Sequence, residues 1–189
     1  VLEEMGVQYE IILVDDGSAD QSWKKIKALA ADDPSVKGLR HSRNYGQHNA
    51  LLTGIKTAQH DVIVTLDDDL QNPPEEIPKL LLRLQEGYDV VYGIPREERH
   101  GLYRDAASRI LKFVLQKAMG IKNARYVSAF RVFRRYLVEA FIGYQHPHVV
   151  LDVLLSWATT SFSHIRVEHE KRNYGVSNYS LSRLVSFAV

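Results

Sequence analysis

One stretch constrains this chain more than any other: the apolar, β-branched run Val62-Ile63-Val64-Thr65-Leu66 leads into Asp67-Asp68-Asp69-Leu70-Gln71 and then Asn72-Pro73-Pro74-Glu75-Glu76-Ile77. The run reads as a buried strand, and the double proline with acids behind it reads as a stiff turn that opens a helix. An open α/β sheet binds its ligands at the C-terminal ends of such strands. Adjacent carboxylates repel one another, so Asp67, Asp68 and Asp69 cost stability unless a cation or donor groups offset them. Oxygen donors at this density suit Mg²⁺ or Mn²⁺, which keep some waters and take substrate phosphates in their remaining positions. A calcium loop of the helix-loop-helix kind does not fit, because its glycine and distant glutamate are missing. The plain alternative, a solvated loop cap, does not account for the clean strand before the acids or the prolines after them.

A second acidic strand end precedes the first. Tyr9 to Val14 reads as a strand ending on Asp15-Asp16-Gly17-Ser18, where glycine permits the turn and Ser18 or Asp20 can cap a helix over Ala19 to Ala31. A strand over Val36 to Arg40 leads into Ser42-Arg43-Asn44-Tyr45-Gly46-Gln47-His48 and a helix carrying Leu51, Leu52, Ile55 and Ala58. After the central strand the pattern predicts a helix over Glu75 to Glu86, stopped by Gly87, and a strand over Tyr88 to Gly93. This alternation is the signature of a mainly parallel sheet covered on both faces.

Beyond it come a charged stretch from Arg96 to Arg104, an amphipathic helix over Asp105 to Met119 and a strand at Phe130 to Arg134. Helices at Tyr136 to Ile142 and Val149 to Thr159, a strand at Ile165 to Glu170, a polar loop from Lys171 to Tyr179 and a final helix complete the reading.

At 189 residues and 45% hydrophobic content the chain suffices for one core and a single domain. A net charge of +1 argues against a nucleic-acid partner held by bulk charge. The lack of cysteine removes disulfide scaffolds and thiolate metal sites. No apolar run reaches the ~18 residues a membrane span needs. Val1 to Gly6 resembles the last turn of a helix, and the apolar, basic pattern of the final helix stops in mid-face; a fragment of a longer protein is expected.

Two acidic strand ends, one suited to a metal, call for a ligand with hydroxyls and a diphosphate, as a nucleotide-sugar has. Walker, G-x-G-x-x-G, G-x-S-x-G and H-E-x-x-H sequences are all missing, which excludes glycine-cradled phosphates and two hydrolase classes.

Val14-Asp15-Asp16-Gly17-Ser18, Arg43 to His48, Leu66 to Glu75 and Arg172-Asn173-Tyr174-Gly175-Val176-Ser177-Asn178-Tyr179 together resemble the family 2 glycosyltransferases of the GT-A fold, in their polyprenyl-phosphate branch. The resemblance implies an α/β, Rossmann-like, mainly parallel sheet flanked by helices, lacking here the family's central first strand and the part of the nucleotide pocket it lines. It implies one GT-A catalytic domain over 1–189, with a nucleotide-binding half (1–93) and an acceptor half with a juxtamembrane helix (94–189).

It further implies Asp67, Asp69 and Gln71 as metal and diphosphate ligands. Asp15, Asp16, Asp68 and Asn44 would contact the nucleotide, and Arg172, Ser177 and Tyr179 would stand in a closing loop near the phosphates. Arg104, with Arg96, Arg99 and Ser108, falls where relatives receive a lipid phosphate. Asn178 stands where a lysine is usual, and Ser128-Ala129 where some relatives place an aspartate base.

The implied catalytic set is Asp69, Arg172 and Arg104, with Mg²⁺ or Mn²⁺ as cofactor, a UDP-sugar as donor and a polyprenyl phosphate as acceptor. A phosphate monoester is mostly deprotonated at neutral pH, so the acceptor needs positive charge around it more than a base. The implied setting is the cytoplasmic face of a membrane, reached through segments absent from this chain, with a homo-oligomer permitted by the free sheet edge a missing strand would leave. A transferase building a cell-surface polysaccharide and a catalytically silent nucleotide-binding module stay open beside this reading.

Overall fold

A computed structural model describes residues 1–96, 126–146 and 149–170. The β-branched and aliphatic runs form strands where expected: β1 (Ile11–Asp15), β2 (Val36–Arg40), β3 (Val62–Thr65), β4 (Val90–Pro95), β5 (Arg131–Arg134) and β6 (Phe162–Val167). The helices are α1 (Ser22–Asp32), α2 (Gln47–Thr57), α3 (Ile77–Gln85) and α4 (Leu151–Ala158), with 3₁₀ turns at Pro74–Glu76 and Arg135–Ala140.

β1 and β2 pair in parallel, from Ile11 opposite Val36 to Asp15 opposite Arg40. The other strands form a second sheet in the order β3-β5-β4-β6. Here β4 and β6 run parallel, while β5 lies antiparallel between β3 and β4 and brings Arg131 opposite both Thr65 and Tyr92. β1 and β3 are not hydrogen-bonded to each other. Among the described residues the strands thus form two separate sheets, with no strand pairing between β1 and β3.

α2 bridges the two sheets. A Cβ on Gly54 would lie 3.3 Å from the Val14 side chain, so the absence of one lets the helix approach β1, while Leu52 and Ile55 enter the core with Ile63, Phe133 and Leu154. The second sheet is covered on both faces. Val90 and Tyr92 face α2, α4 and the 3₁₀ turn, whereas Val91, Val132 and Phe130 face Ile77, Leu80 and Leu84 of α3. Val90, Val91 and Leu80 are fully buried, and each such side chain contributes about 1.5–3 kcal/mol of burial.

Four boundaries depart from the sequence reading. The helix predicted from Glu75 begins as a 3₁₀ turn, because Pro74 and Pro78 cannot donate to the first turns. Where a helix over Tyr136 to Ile142 is predicted, a 3₁₀ turn runs over Arg135–Ala140 and ends before Phe141. β6 runs from Phe162 to Val167, starting three residues before Ile165 because it pairs with β4 from Val90 onward, and ending at Val167, after which Glu170 N donates to Gln71 O at 2.9 Å. Ser18 does not cap α1: its N–H donates to Asp15 Oδ1, and Asp20 Oδ1 accepts the Ser22 N–H. The helix predicted at Asp105 to Met119, the polar loop after Glu170 and the final helix lie outside the described residues.

Candidate active site at the acidic strand ends

Asp15 ends β1 nearly buried, its Oδ1 accepting Ser18 N at 2.9 Å and its Oδ2 3.0 Å from Arg40 Nε. That charge contact lacks hydrogen-bond alignment, so Oδ2 has no hydrogen-bond partner. Burial pushes the Asp15 carboxyl up, but the Ser18 hydrogen bonds and the Arg40 charge outweigh it and hold the group below its ordinary value. Asp16 organises the loop after β2. Its Oδ1 accepts from His41 Nδ1 at 2.7 Å and Tyr45 N at 2.9 Å, and its Oδ2 from Gly46 N at 2.7 Å.

Gly17 makes this closeness possible. It sits at φ +73°, and a Cβ there would lie 2.6 Å from the Arg43 carbonyl carbon and 2.9 Å from Asn44 N. Gly17→Ala therefore combines left-handed strain with a backbone collision, and an expected loss of about 2–4 kcal/mol follows. Gly143→Ala, where added volume meets open space, is the control. Urea denaturation of the two variants checks the difference.

At the second strand end the side chains alternate: Asp67 and Asp69 are half-buried and Asp68 is exposed. Asp67 Oδ1 accepts Gln47 Nε2 at 2.6 Å, and Asp69 Oδ1 accepts Gln71 N at 3.1 Å. Leu70 between them holds φ +60°, the one left-handed non-glycine among the described residues. Strain of this kind persists where the surroundings over-determine it. Burial raises the Asp67 carboxyl above its ordinary value, and the charges of Asp69 and Asp68 add to that, against a partial offset from Arg131 and Gln47.

Among the described residues no three His, Cys, Asp or Glu side chains are grouped to hold a metal. The donors offered are the oxygens of Asp67 and Asp69. This set fits a hard divalent cation: burial, and after it the charge of Asp69, raises Asp67, and a cation would offset both, with waters or a ligand's oxygens completing its coordination. The Gln71 amide nitrogen points to Glu170 O at 3.5 Å, so in this structure the side chain joins the acidic loop to the end of β6. His169 Nδ1 and Asn72 Oδ1, 3.3 Å apart, make a second link there.

The two strand ends are connected through the first residue of α2. Gly46, bound by Asp16, precedes Gln47, the first residue of α2, and Gln47 reaches Asp67. Gln47 lay within a motif, yet its reach to Asp67 was not expected. Beneath the acidic loop lies a second unexpected group: Arg131 and Asp152, 2% and 6% exposed, form a buried ion pair, and Tyr92 donates its hydroxyl to Asp152 Oδ1 at 2.8 Å. Only burial beside a carboxylate could have marked them, and burial is a tertiary property. Asn44 stands against Gly17 and lines a cavity of about 670 Å³ with His41, Arg43, Tyr45 and Thr53. Arg96 pairs with Glu168 at 2.7 Å. Arg99, Arg104, Ser108, Arg172, Ser177 and Tyr179 lie outside the described residues.

Comparison with known proteins bears on this geometry. Residues 1–141 match the sequence model of the family described as "Glycosyl transferase family 2". Over 179 residues the chain is 41% identical to undecaprenyl-phosphate 4-deoxy-4-formamido-L-arabinose transferases of Yersinia pestis and Yersinia pseudotuberculosis, an alignment covering 94% of this chain and 55% of theirs. It thus spans about half the length of these relatives. Among solved structures it resembles glucosyl-3-phosphoglycerate synthase of Mycobacterium tuberculosis in complex with Mn²⁺, UDP and glucosyl-3-phosphoglycerate, with a TM-score of 0.64 at 18% identity over 95% of this chain and 64% of that one. A mycobacterial protein at 22% identity gives a TM-score of 0.63, over 95% of this chain and 60% of its own. These likenesses establish the GT-A fold.

Proposed function

The chain belongs to glycosyl transferase family 2, and from that premise we propose that it is the catalytic domain of an inverting transferase that moves a sugar from a UDP-sugar to a polyprenyl phosphate. The carrying observation is the hydrogen-bonded path from Asp16 through Gly46 and Gln47 to Asp67, which connects the two acidic strand ends. Asp16 and its turn are suited to the nucleoside, and Asp67 and Asp69 to the diphosphate through Mg²⁺ or Mn²⁺. When bound, that cation supplies charge neutralisation for the diphosphate of the donor and of the departing UDP. The names of the 41%-identical relatives support the polyprenyl phosphate, and the Mn²⁺ and UDP of the glucosyl-3-phosphoglycerate synthase complex support the donor.

In this reading the protein's own residues fix the nucleotide and the acidic loop, while the acceptor phosphate, already anionic, attacks the anomeric carbon without a base. Arg104 and Arg172 are assigned to the approaching and departing phosphates, and Ser177 and Tyr179 to the donor's diphosphate. The proposed setting is the cytoplasmic face of a membrane; among the described residues no helix is long and apolar enough to cross one.

Calorimetric titration of UDP into the protein with Mn²⁺, and again with EDTA, tests the donor site. Binding in the micromolar range that EDTA abolishes is expected; full-length protein that binds no UDP under either condition overturns the reading. Full-length protein that binds UDP yet transfers nothing to polyprenyl phosphate overturns the acceptor assignment.

A further inference from the structure

We propose that His41 is a positioning residue for the nucleoside diphosphate, acting through Asp16 rather than by touching the reacting atoms. The inference rests on the UDP-sugar reading and deepens it. His41 directly follows β2, and its backbone N–H donates to Asp15 O at 2.9 Å, continuing the β1–β2 ladder by one residue. This places the imidazole between the end of β1 and α2. Nδ1 lies 2.7 Å from Asp16 Oδ1, and Nε2 lies 2.9 Å from Thr53 Oγ1. A carboxylate only accepts, so the Nδ1–H is the donor of the first bond. The Thr53 hydroxyl also reaches Asn49 O at 3.0 Å, which anchors the ring to the second turn of α2.

Asp16 thus takes one side-chain donor and two backbone donors, Tyr45 N and Gly46 N. The backbone pair takes one carboxylate oxygen each, Tyr45 N on Oδ1 and Gly46 N on Oδ2. The imidazole adds a third donor to Oδ1 from the α2 side, which ties the carboxylate, and the turn it holds, to α2. The Tyr45 ring packs edge-on against the imidazole with centroids 5.3 Å apart, so the same side chain also seats the turn from above. His41, Tyr45 and Thr53 also line the 670 Å³ cavity, which Asp16 itself does not line, so the imidazole joins the wall of that space to the carboxylate. A hydrogen bond to a charged group in this position sets the presentation of Asp16 and, one residue beyond Gly46, of Gln47 toward Asp67.

Three substitutions separate positioning from packing. His41→Phe keeps the ring and loses both nitrogens, His41→Asn offers an amide N–H near the place of Nδ1, and His41→Gln offers one near the place of Nε2. UDP affinity with Mn²⁺ is measured by calorimetry, and KM and kcat for the UDP-sugar in the full-length protein, with thermal midpoints alongside. His41→Phe and His41→Gln are expected to weaken UDP binding and raise KM about tenfold, the size of one charge-assisted hydrogen bond, with kcat within about twofold. His41→Asn is expected to restore affinity to within about threefold of wild type, while Asn and Gln have equal thermal midpoints. Unchanged UDP affinity in His41→Phe, or equal losses in Asn and Gln, overturns the inference on His41 and leaves the UDP-sugar reading standing. Wild-type protein that binds no UDP overturns that reading and this inference together.

Discussion

Replacing Asp69 by alanine is expected to weaken Mn²⁺-dependent UDP binding by about a hundredfold or more, whereas Asp68→Ala should stay within about threefold of wild type. The difference follows from the alternation along the acidic loop: Asp69 is half-buried beside Asp67 and Asp68 is exposed. Asp67 adds a pH dependence of defined sign. Its folded-state carboxyl stands above the ordinary value because of burial and then the charge of Asp69. A proton therefore competes with the cation at higher pH than at a free carboxylate, and Mn²⁺ affinity should fall as pH drops through that raised value. The metal-free fold should show the reverse. A carboxyl raised on folding contributes stability below its unfolded pKa and loses it as pH rises through the folded one. Mn²⁺ should then stabilise the protein at pH 7 more than at pH 5, and do so little in Asp69→Ala. Thermal melts with Mn²⁺ and with EDTA at both pH values, beside UDP calorimetry, measure all of this; equal losses in Asp68→Ala and Asp69→Ala would remove the loop's two-sidedness as the cause.

Much of this site was legible because its chemistry is local. A β-branched run ending on acids fixes a strand and what stands at its end, so β1, β3 and their carboxylates were placed within a residue or two. Gly17 was read as a turn glycine, and its collision with Arg43 is the same fact seen from across the turn. What escaped was non-local. The four residues of β5 carry no mark of antiparallel entry between two strands that follow each other in sequence. That insertion brings Arg131 beneath Asp67, and nothing in Phe130-Arg131-Val132 tells a buried arginine from an exposed one. His41, at the end of an exposed-looking Leu39-Arg40-His41-Ser42, shows its role only once β1 and α2 close around it.

The buried pair makes the other large prediction. Asp152→Ala and Arg131→Met should each destabilise the protein by about 3–5 kcal/mol, because each leaves its partner's charge buried and uncompensated. Tyr92, whose hydroxyl donates to Asp152 and whose ring lies 5.8 Å from the Arg131 guanidinium, adds to the loss in Asp152→Ala by becoming a buried donor without its acceptor. Arg131→Met combined with Asp152→Leu should recover most of that stability, since apolar side chains of similar volume often replace a buried ion pair at little cost. Urea unfolding of the four proteins forms a double-mutant cycle, and single-variant losses that merely add would show that the two charges are not coupled. The double variant then isolates a second effect of Arg131. Its charge lowers the Asp67 carboxyl against burial and Asp69, so a folded protein without it should hold Asp67 higher still and need a higher pH to bind Mn²⁺ than wild type does. A double variant that folds as stably as wild type and binds Mn²⁺ with the same pH profile would confine Arg131 to the core. A shifted profile would make the arginine at the centre of the sheet part of the acidic site above it.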